Sequence, residues 1–363
     1  MVHRRLGLRF VMVLGTLLLS VALVGSSFAS KIWHLFLSQG VFFGWGMGFL
    51  YLPALSALPA WFSSKRSLAC GLAASGAGMG GLLYNLAAGY AVQKIGVAWS
   101  YRVFALVGLA VNLVCALVMK EWGGSSEHNH RYIRIHEFKH LGLILIALWG
   151  IVTEFGYITL LYSLPAYAAS IELDTQQGSM ASAMLNLGLV VGRPLVGHFS
   201  DQYGRINVSM AMTGLCGVLC FALWMPATSY GLLLAFATLV GMICGTFWSA
   251  VSAVTAEVVG VQRVSPAFSL ICIALVAPTT FAEPAALTLS TWSGYQGTQI
   301  FVACMFLAGS LCLWLLRSWQ LFVIERKGRL ARDEESSSHR ELLSIVAYMD
   351  WISVRKLFLS GRV

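Results

Sequence analysis

Charged side chains are scarce in this sequence. Asp, Glu, Lys and Arg make up 11% of the 363 residues, whereas soluble domains carry roughly a quarter of charged residues. Hydrophobic residues make up 58%, which is more than the core of a soluble fold of this length needs. The shortage of charge therefore excludes an ordinary soluble protein and predicts a protein embedded in a membrane.

Alternation of apolar and polar residues is also missing from the apolar stretches. They run for about 20 residues each, the length that an α-helix needs to cross a bilayer, while the strands of a membrane barrel alternate over about 10 residues. We therefore predict an all-α membrane protein with about ten transmembrane helices. The predicted spans cover residues 10–29, 33–58, 67–90, 101–119, 141–168, 178–199, 207–226, 230–255, 267–289 and 297–317.

The longest polar stretch, Lys120 to His140, divides these spans into four and six. We predict an N-terminal helical bundle at 1–119, a central loop at 120–140, a six-helix bundle at 141–317 and a tail at 318–363. Most of the tail is expected to lack structure. The basic arm before the first span is also typical of a signal peptide, but a weak cleavage site favours a retained span.

Lys and Arg residues are distributed unevenly between the loops, and cytoplasmic loops carry the excess of such residues. This predicts cytoplasmic termini and a cytoplasmic central loop. For this multi-pass protein we expect the plasma membrane rather than an internal membrane. The same topology accounts for the net charge of +9, so we expect contact with lipid and no nucleic-acid partner. The basic residues assigned to the cytoplasmic side are Arg4, Arg5, Arg9, Lys65, Arg66, Lys120, Arg131, Arg134, Lys139, Arg205 and Arg263, against Lys31, Lys94 and Arg102 outside.

Catalytic motifs are lacking. No Ser-His-Asp or Cys-His set has a plausible spacing, so we do not predict an enzyme. Gly76 to Gly81 matches G-x-G-x-x-G, but no strand precedes it and no acidic residue follows at the required distance. The eight cysteines all fall inside apolar spans, and the four histidines of the central loop lack a metal-site spacing. We therefore expect no disulfide, metal or cofactor.

The most specific stretch is Gly192 to Arg205, GRPLVGHFSDQYGR, which runs from the end of the sixth span into the turn before the seventh. It resembles the loop signature of the major facilitator superfamily, whose transporters consist of two six-helix halves. An acidic residue at a helix end and an Arg across a glycine turn can lock two helices in one state. By this resemblance Gly197, Asp201, Gly204 and Arg205 form a conformational-switch loop.

In that superfamily the signature follows the second helix of each half, as it does here in the C-terminal half. Arg5 to Arg9 looks like the last residues of the matching copy. We therefore expect helices one and two of the family pattern to be missing, which leaves a truncated N-terminal bundle.

A second resemblance narrows the family. Trp61 to Gly78 is similar to the fifth-helix signature of the monocarboxylate porter family, in its fungal branch. The resemblance implies a secondary-active transporter of a small organic solute, a monocarboxylate or a related organic acid, with or without proton coupling. Fungal relatives also include exporters of secondary metabolites and riboflavin carriers. A truncated membrane protein that does not transport is the remaining alternative.

Three ionisable residues lie inside predicted spans, where each costs about 2.5–3.5 kcal/mol on insertion scales. Arg193 is followed by Pro194, which resembles the Arg-Pro of the family's eighth helix and implies binding of a substrate carboxylate. The alternative is that Arg193 only braces the turn at Asp201. Leu189 stands where animal members of the family have Asp.

The two acidic residues are Glu154 and Glu283. Each is either a proton carrier or one half of a structural pair. Transporter sites lie near the midplane of the bilayer, which favours a functional role for Glu154, in proton coupling and in substrate binding. Glu283 lies closer to the outer surface, which favours a structural role over proton coupling.

Aromatic and small residues complete the candidate positions. Phe247 and Trp248 either line a cavity, where they would stack on a planar substrate, or pack against helices and lipid. Glycines at helical spacing predict close helix packing. The glycines assigned this role are Gly40, Gly44, Gly48, Gly71 and Gly76.

Overall fold

The computed structural model describes residues 7–62, 64–119 and 140–335, and within these ranges the chain forms helices and no β-strand. The central loop at 120–139, with His128, His130 and His136, lies outside the described residues. The tail beyond residue 335 lies outside them as well. The predictions for both segments stay predictions.

The helices are numbered here in chain order. One helix contains a π-helical stretch at Phe36–Phe42, and another leads into a π-helical stretch at Cys220–Trp224. The bounds are α1 Leu8–Ser27, α2 Ile32–Trp61, α3 Arg66–Val118, α4 Leu141–Ser170, α5 Thr175–Tyr203, α6 Arg205–Leu219, α7 Tyr230–Cys244, α8 Thr246–Val259, α9 Val264–Ala274 and α10 Val276–Glu335.

Two glycines break the longest helices. Gly96 in α3 has φ 78° and Gly294 in α10 has φ 66°. Glycine adopts this left-handed region without the steric penalty that a Cβ brings. Each glycine therefore divides a long helix into two segments that can each cross a bilayer.

Nine segments of the described chain are long and apolar enough to span a membrane. The last, Val261–Arg326, has 66 residues and contains the break at Gly294, so it covers the ninth and tenth predicted spans. The predicted all-helical membrane class is confirmed. The last helix, α10, continues to Glu335, so the first part of the predicted tail at 318–363 is helical.

The first compact unit consists of Met1–Trp61 and Gly80–His130. Its closest helix contact joins α1 and α2. A Cβ on Gly46 would lie 2.9 Å from the carbonyl oxygen of Gly15 and 2.8 Å from the backbone N of Leu19. Two helices can approach this closely only through small residues.

The glycines of α2 that were predicted to pack are not the glycine that contacts α1. A Cβ on Gly40, Gly44 or Gly48 would meet nothing within 4 Å among the described residues, and the same holds for Gly76 in α3. Gly46, which lies between Gly44 and Gly48, makes the contact instead. Among the described residues, the four-residue spacing of these glycines therefore does not mark the face of α2 that packs against α1.

The second compact unit consists of Phe62–Met79 and Arg131–Val363. The first part of α3 therefore belongs with α4 to α10, although the sequence assigned it to the N-terminal bundle. The core of this unit is formed by fully buried large side chains, among them Leu160, Trp224, Phe236 and Phe306. Lipid is as apolar as these side chains, so close packing rather than exclusion of water stabilises the bundle.

Glycines set the distance between α5 and α7. A Cβ on Gly188 would lie 2.6 Å from the carbonyl oxygen of Thr238, and one on Gly192 would overlap the backbone of Met242. On the facing helix, a Cβ on Gly241 would overlap the backbone of Leu185. The two backbones are thus in direct contact along the helix that carries Arg193.

We predict that Gly192→Ala destabilises the protein, because the added methyl group would overlap backbone atoms of Met242 that cannot rotate away. Overpacking of this kind costs about 1–3 kcal/mol, occasionally more. The expected result is a melting temperature lower by several degrees for the purified protein in detergent. Gly231→Ala is the matched control, because a Cβ there would meet nothing within 4 Å among the described residues. Equal melting temperatures for the two variants would contradict the prediction.

Candidate functional site

Glu154, Arg193 and Trp248 lie close together inside the second unit, although they come from three helices, α4, α5 and α8. Glu154 is 2% exposed and Arg193 is 4% exposed. The indole of Trp248 hydrogen-bonds to the Glu154 carboxylate, and Arg193 is close enough to interact with that carboxylate electrostatically. The only side-chain donor of Trp is its indole N–H, so Trp248 donates and Glu154 accepts.

The two charged groups do not satisfy each other. Within the described residues, Oε1 of Glu154 and Nε of Arg193 have no hydrogen-bond partner. The pair also forms no ion pair within 4 Å there. Buried polar atoms are nearly always hydrogen-bonded in proteins. Two unpartnered atoms of opposite character in one cluster therefore make it the candidate binding site.

The guanidinium of Arg193 is held from two sides. Its Nη1 donates to the backbone carbonyl oxygen of Ala74 in α3. On the other side stands Gly245, where a Cβ would lie 2.6 Å from Nε and 3.0 Å from Nη2. The carbonyl fixes the direction of the guanidinium, and the absence of a side chain at 245 makes room for the guanidinium itself.

Close packing of α3 against α5 surrounds this contact. A Cβ on Gly71 would overlap the backbone carbonyl of Arg193, and one on Gly78 would lie 2.9 Å from the carbonyl oxygen of Asn186. Gly71 was among the glycines predicted to pack. The segment of α3 from Gly71 to Gly78 thus forms one wall of the arginine site.

Phe247 does not line the site. It is fully buried, with its ring 4.9 Å from the ring of Trp149. A Cβ on Gly150 would lie 2.8 Å from the Phe247 ring. The structure therefore favours the packing alternative for Phe247 over the prediction that it stacks on a substrate. Trp248 is half-buried and faces Glu154 instead.

Glu283 was the other candidate for proton coupling. It lies in α10 directly before Pro284 and is exposed in the structure. It is not part of the cluster around Glu154. Its proposed role in proton coupling therefore gains no support from the geometry.

The loop between α5 and α6 caps the start of α3. Asp201 accepts a hydrogen bond at Oδ1 from the backbone N of Ser67 (3.0 Å) and at Oδ2 from the backbone N of Leu68 (2.9 Å). The first N–H groups of a helix have no partner within the helix. One carboxylate thus satisfies two of them, and its charge is favourable at this end of the helix dipole. A Cβ on Gly197 would lie 2.5 Å from the carbonyl oxygen of Ser67, so this glycine allows the approach.

Arg205 connects the loop to a third helix. It lies 3.6 Å from Oδ1 of Asp201, and its Nη1 donates to Oε2 of Glu257 in α8 at 3.3 Å. Its Nε donates to the hydroxyl of Ser67 at 3.1 Å. Gly204, with φ 97°, makes the turn that places Arg205 opposite Asp201. The four predicted loop residues therefore surround the first turn of α3.

Sequence reasoning did not identify Glu257, Ser67 or Ala74. Glu257 carries a weak signal, because it is an acidic residue near the end of an apolar span. Ser67 and Ala74 carry none that distinguishes them from other small residues, since Ala74 contributes only its backbone carbonyl.

The sequence is similar to that of known membrane proteins. The sequence model of the Major Facilitator Superfamily matches residues 2–151 and 144–361. The probable transporter MCH2 of Saccharomyces cerevisiae is 32% identical over 345 residues, which cover 92% of this chain and 72% of the relative. The agnestins efflux protein AgnL12 of Paecilomyces divaricatus is 26% identical over 320 residues, which cover 86% of this chain and 72% of the relative.

Solved structures give a likeness of fold. A crystal structure of the major facilitator superfamily transporter FucP in the outward conformation aligns with a TM-score of 0.64. The alignment covers 86% of this chain and 82% of that one, at 14% sequence identity. At this identity the likeness concerns the helical architecture alone.

Proposed function

Because the chain belongs to the major facilitator superfamily and is a membrane transporter of that type, we propose that it carries a small organic acid by secondary-active transport. The observation that carries the proposal is the buried guanidinium of Arg193, whose Nε has no partner among the described residues. A guanidinium in such a place binds a carboxylate through charge-assisted and often paired hydrogen bonds. The cargo class is a monocarboxylate or a related organic acid, in line with the porter signature at Trp61 to Gly78.

Glu154 is proposed to carry the coupled proton. With both residues charged, Glu154 and Arg193 balance each other. An arriving monoanion would then leave a net negative charge in a buried site, which is costly. A proton bound to Glu154 restores the balance. Entry of one carboxylate together with one proton therefore follows from the charge of the site.

The loop of Asp201 and Arg205 is proposed to act as the switch between transport states. It holds the first turn of α3, and the wall of the arginine site formed by Gly71, Ala74 and Gly78 continues from that turn. Releasing the cap would allow α3 to move away from α5, as alternating access requires. Both termini and this loop are proposed to be cytoplasmic, on the distribution of Lys and Arg. The membrane is proposed to be the plasma membrane.

Uptake into proteoliposomes tests the proposal. Purified protein is reconstituted, and uptake of radiolabelled acetate, lactate, pyruvate and longer organic acids is measured with and without an inward proton gradient. We expect at least one acid to be taken up above the level of empty liposomes, and faster with the gradient. If no acid is taken up above the level of empty liposomes, with or without the gradient, the organic-acid proposal is wrong. If uptake occurs without dependence on the gradient, the acid assignment stands and the proton coupling fails.

Export of a metabolite is the second candidate, because one relative carries the word efflux in its name. Direction depends on gradients rather than on the residues that bind the cargo. The same liposomes, preloaded with the acid that is taken up, would measure its release. Retention of the preloaded acid under an outward gradient would argue against export.

A further inference from the structure

The substrate site contains both an unpartnered donor and an unpartnered acceptor. Arg193 offers Nε and Glu154 offers Oε1, and among the described residues neither atom has a hydrogen-bond partner. Ala74 accepts from Nη1, and Trp248 donates to the Glu154 carboxylate. The site therefore presents a positive edge and a negative edge at the same depth of burial.

A simple carboxylate matches only half of this arrangement. It would pair with the Arg193 edge and leave Oε1 of Glu154 buried without a donor, unless a proton is added. A partly satisfied buried charge costs more than a fully paired one. A ligand that brings its own positive donor would complete both halves and leave the occupied site neutral.

We propose that the preferred cargo is a zwitterionic amino acid, whose carboxylate pairs with Arg193 and whose ammonium pairs with Glu154. This inference rests on the proposed function and narrows its substrate class. The ammonium takes the place of the proton that a simple acid needs beside Glu154. Each of the four charges then has an opposite charge as its neighbour.

Two neighbouring positions keep the site in this form. Trp248 holds one oxygen of Glu154 and so directs the other towards the ligand. Ala74 holds Nη1 of Arg193. A ligand carboxylate that accepts from Nε would not need to displace Ala74.

Binding to the purified full-length protein tests this inference without relying on transport. Affinities are measured by isothermal titration calorimetry for two matched pairs, alanine with propionate and phenylalanine with 3-phenylpropionate. Within each pair only the amino group differs. We expect the amino acid of at least one pair to bind ten times or more tightly than its deaminated partner, in keeping with a charge-assisted hydrogen bond of about 1.5–3 kcal/mol.

The Glu154→Gln variant should abolish this preference, because the amide no longer attracts an ammonium. Glu172→Gln, at an exposed Glu outside the site, should retain it. If Glu154→Gln does not fold, Glu154→Asp serves instead and should weaken the preference by moving the carboxylate back by one methylene group.

Equal or tighter binding of the deaminated acids would overturn the inference and leave the organic-acid function intact. Failure of both amino acids and both acids to bind would also overturn it. The liposome assay would then decide separately whether any organic acid is carried.

Discussion

Replacing Arg193 with Ala is expected to lower the kcat/KM of transport by at least about a hundredfold, since two charge-assisted hydrogen bonds to a buried carboxylate are worth about 1.5–3 kcal/mol each. Arg193 is 4% exposed and its Nε lacks a partner among the described residues. The measurement is the initial rate of uptake into proteoliposomes over a range of substrate concentrations.

The Arg193→Lys variant separates charge from geometry. Lys keeps the positive charge but lacks the planar fork that binds a carboxylate at two points, so an intermediate loss is expected. Arg317→Lys is the matched control. Arg317 is also buried, at 8% exposed, but its Nε donates to Asn207 Oδ1, away from the site. Transport by Arg193→Ala at the wild-type rate, with normal folding, would remove Arg193 from the substrate site.

Long apolar runs predicted the membrane-spanning helices well, because the thickness of the bilayer sets both their length and their composition. The breaks at Gly96 and Gly294 lie in the gaps that separated predicted spans. The loop signature likewise identified Asp201, Gly204 and Arg205 as neighbours of one turn. These features depend on residues close together in the chain, which a sequence pattern can reveal.

Contacts between distant helices were harder to predict. Glycine spacing selected Gly40, Gly44 and Gly48, but Gly46 packs, because the rotation of α2 about its axis depends on what α1 presents to it. The bond from Arg193 to the Ala74 carbonyl involves a backbone atom that every residue type possesses. Whether Phe247 lines a cavity or packs in the core depends on Gly150 and Trp149, which lie nearly 100 residues earlier in the chain.

Replacing Asp201 with Ala is expected to slow transport by roughly tenfold, through loss of the cap on α3 rather than through loss of binding. The carboxylate accepts from the backbone N of both Ser67 and Leu68, and removing such a cap costs about 1–2 kcal/mol. A cost of about 1.4 kcal/mol changes the ratio of two states tenfold. The variant should fold, because Arg205 still bonds to Glu257 and Ser67. The KM should change less than the kcat.

Hydrogen exchange provides the second measurement for this variant. The amides of Ser67 and Leu68 should lose protection in Asp201→Ala, while amides in the middle of α4 should keep theirs, since only the first turn of α3 depends on this carboxylate. Glu257→Gln is the matched control: it removes one ion-pair partner of Arg205 but leaves both backbone bonds to Asp201 in place, so it should affect exchange at Ser67 and Leu68 much less. Loss of protection without any change in kcat would mean that the cap stabilises α3 but does not act as a switch.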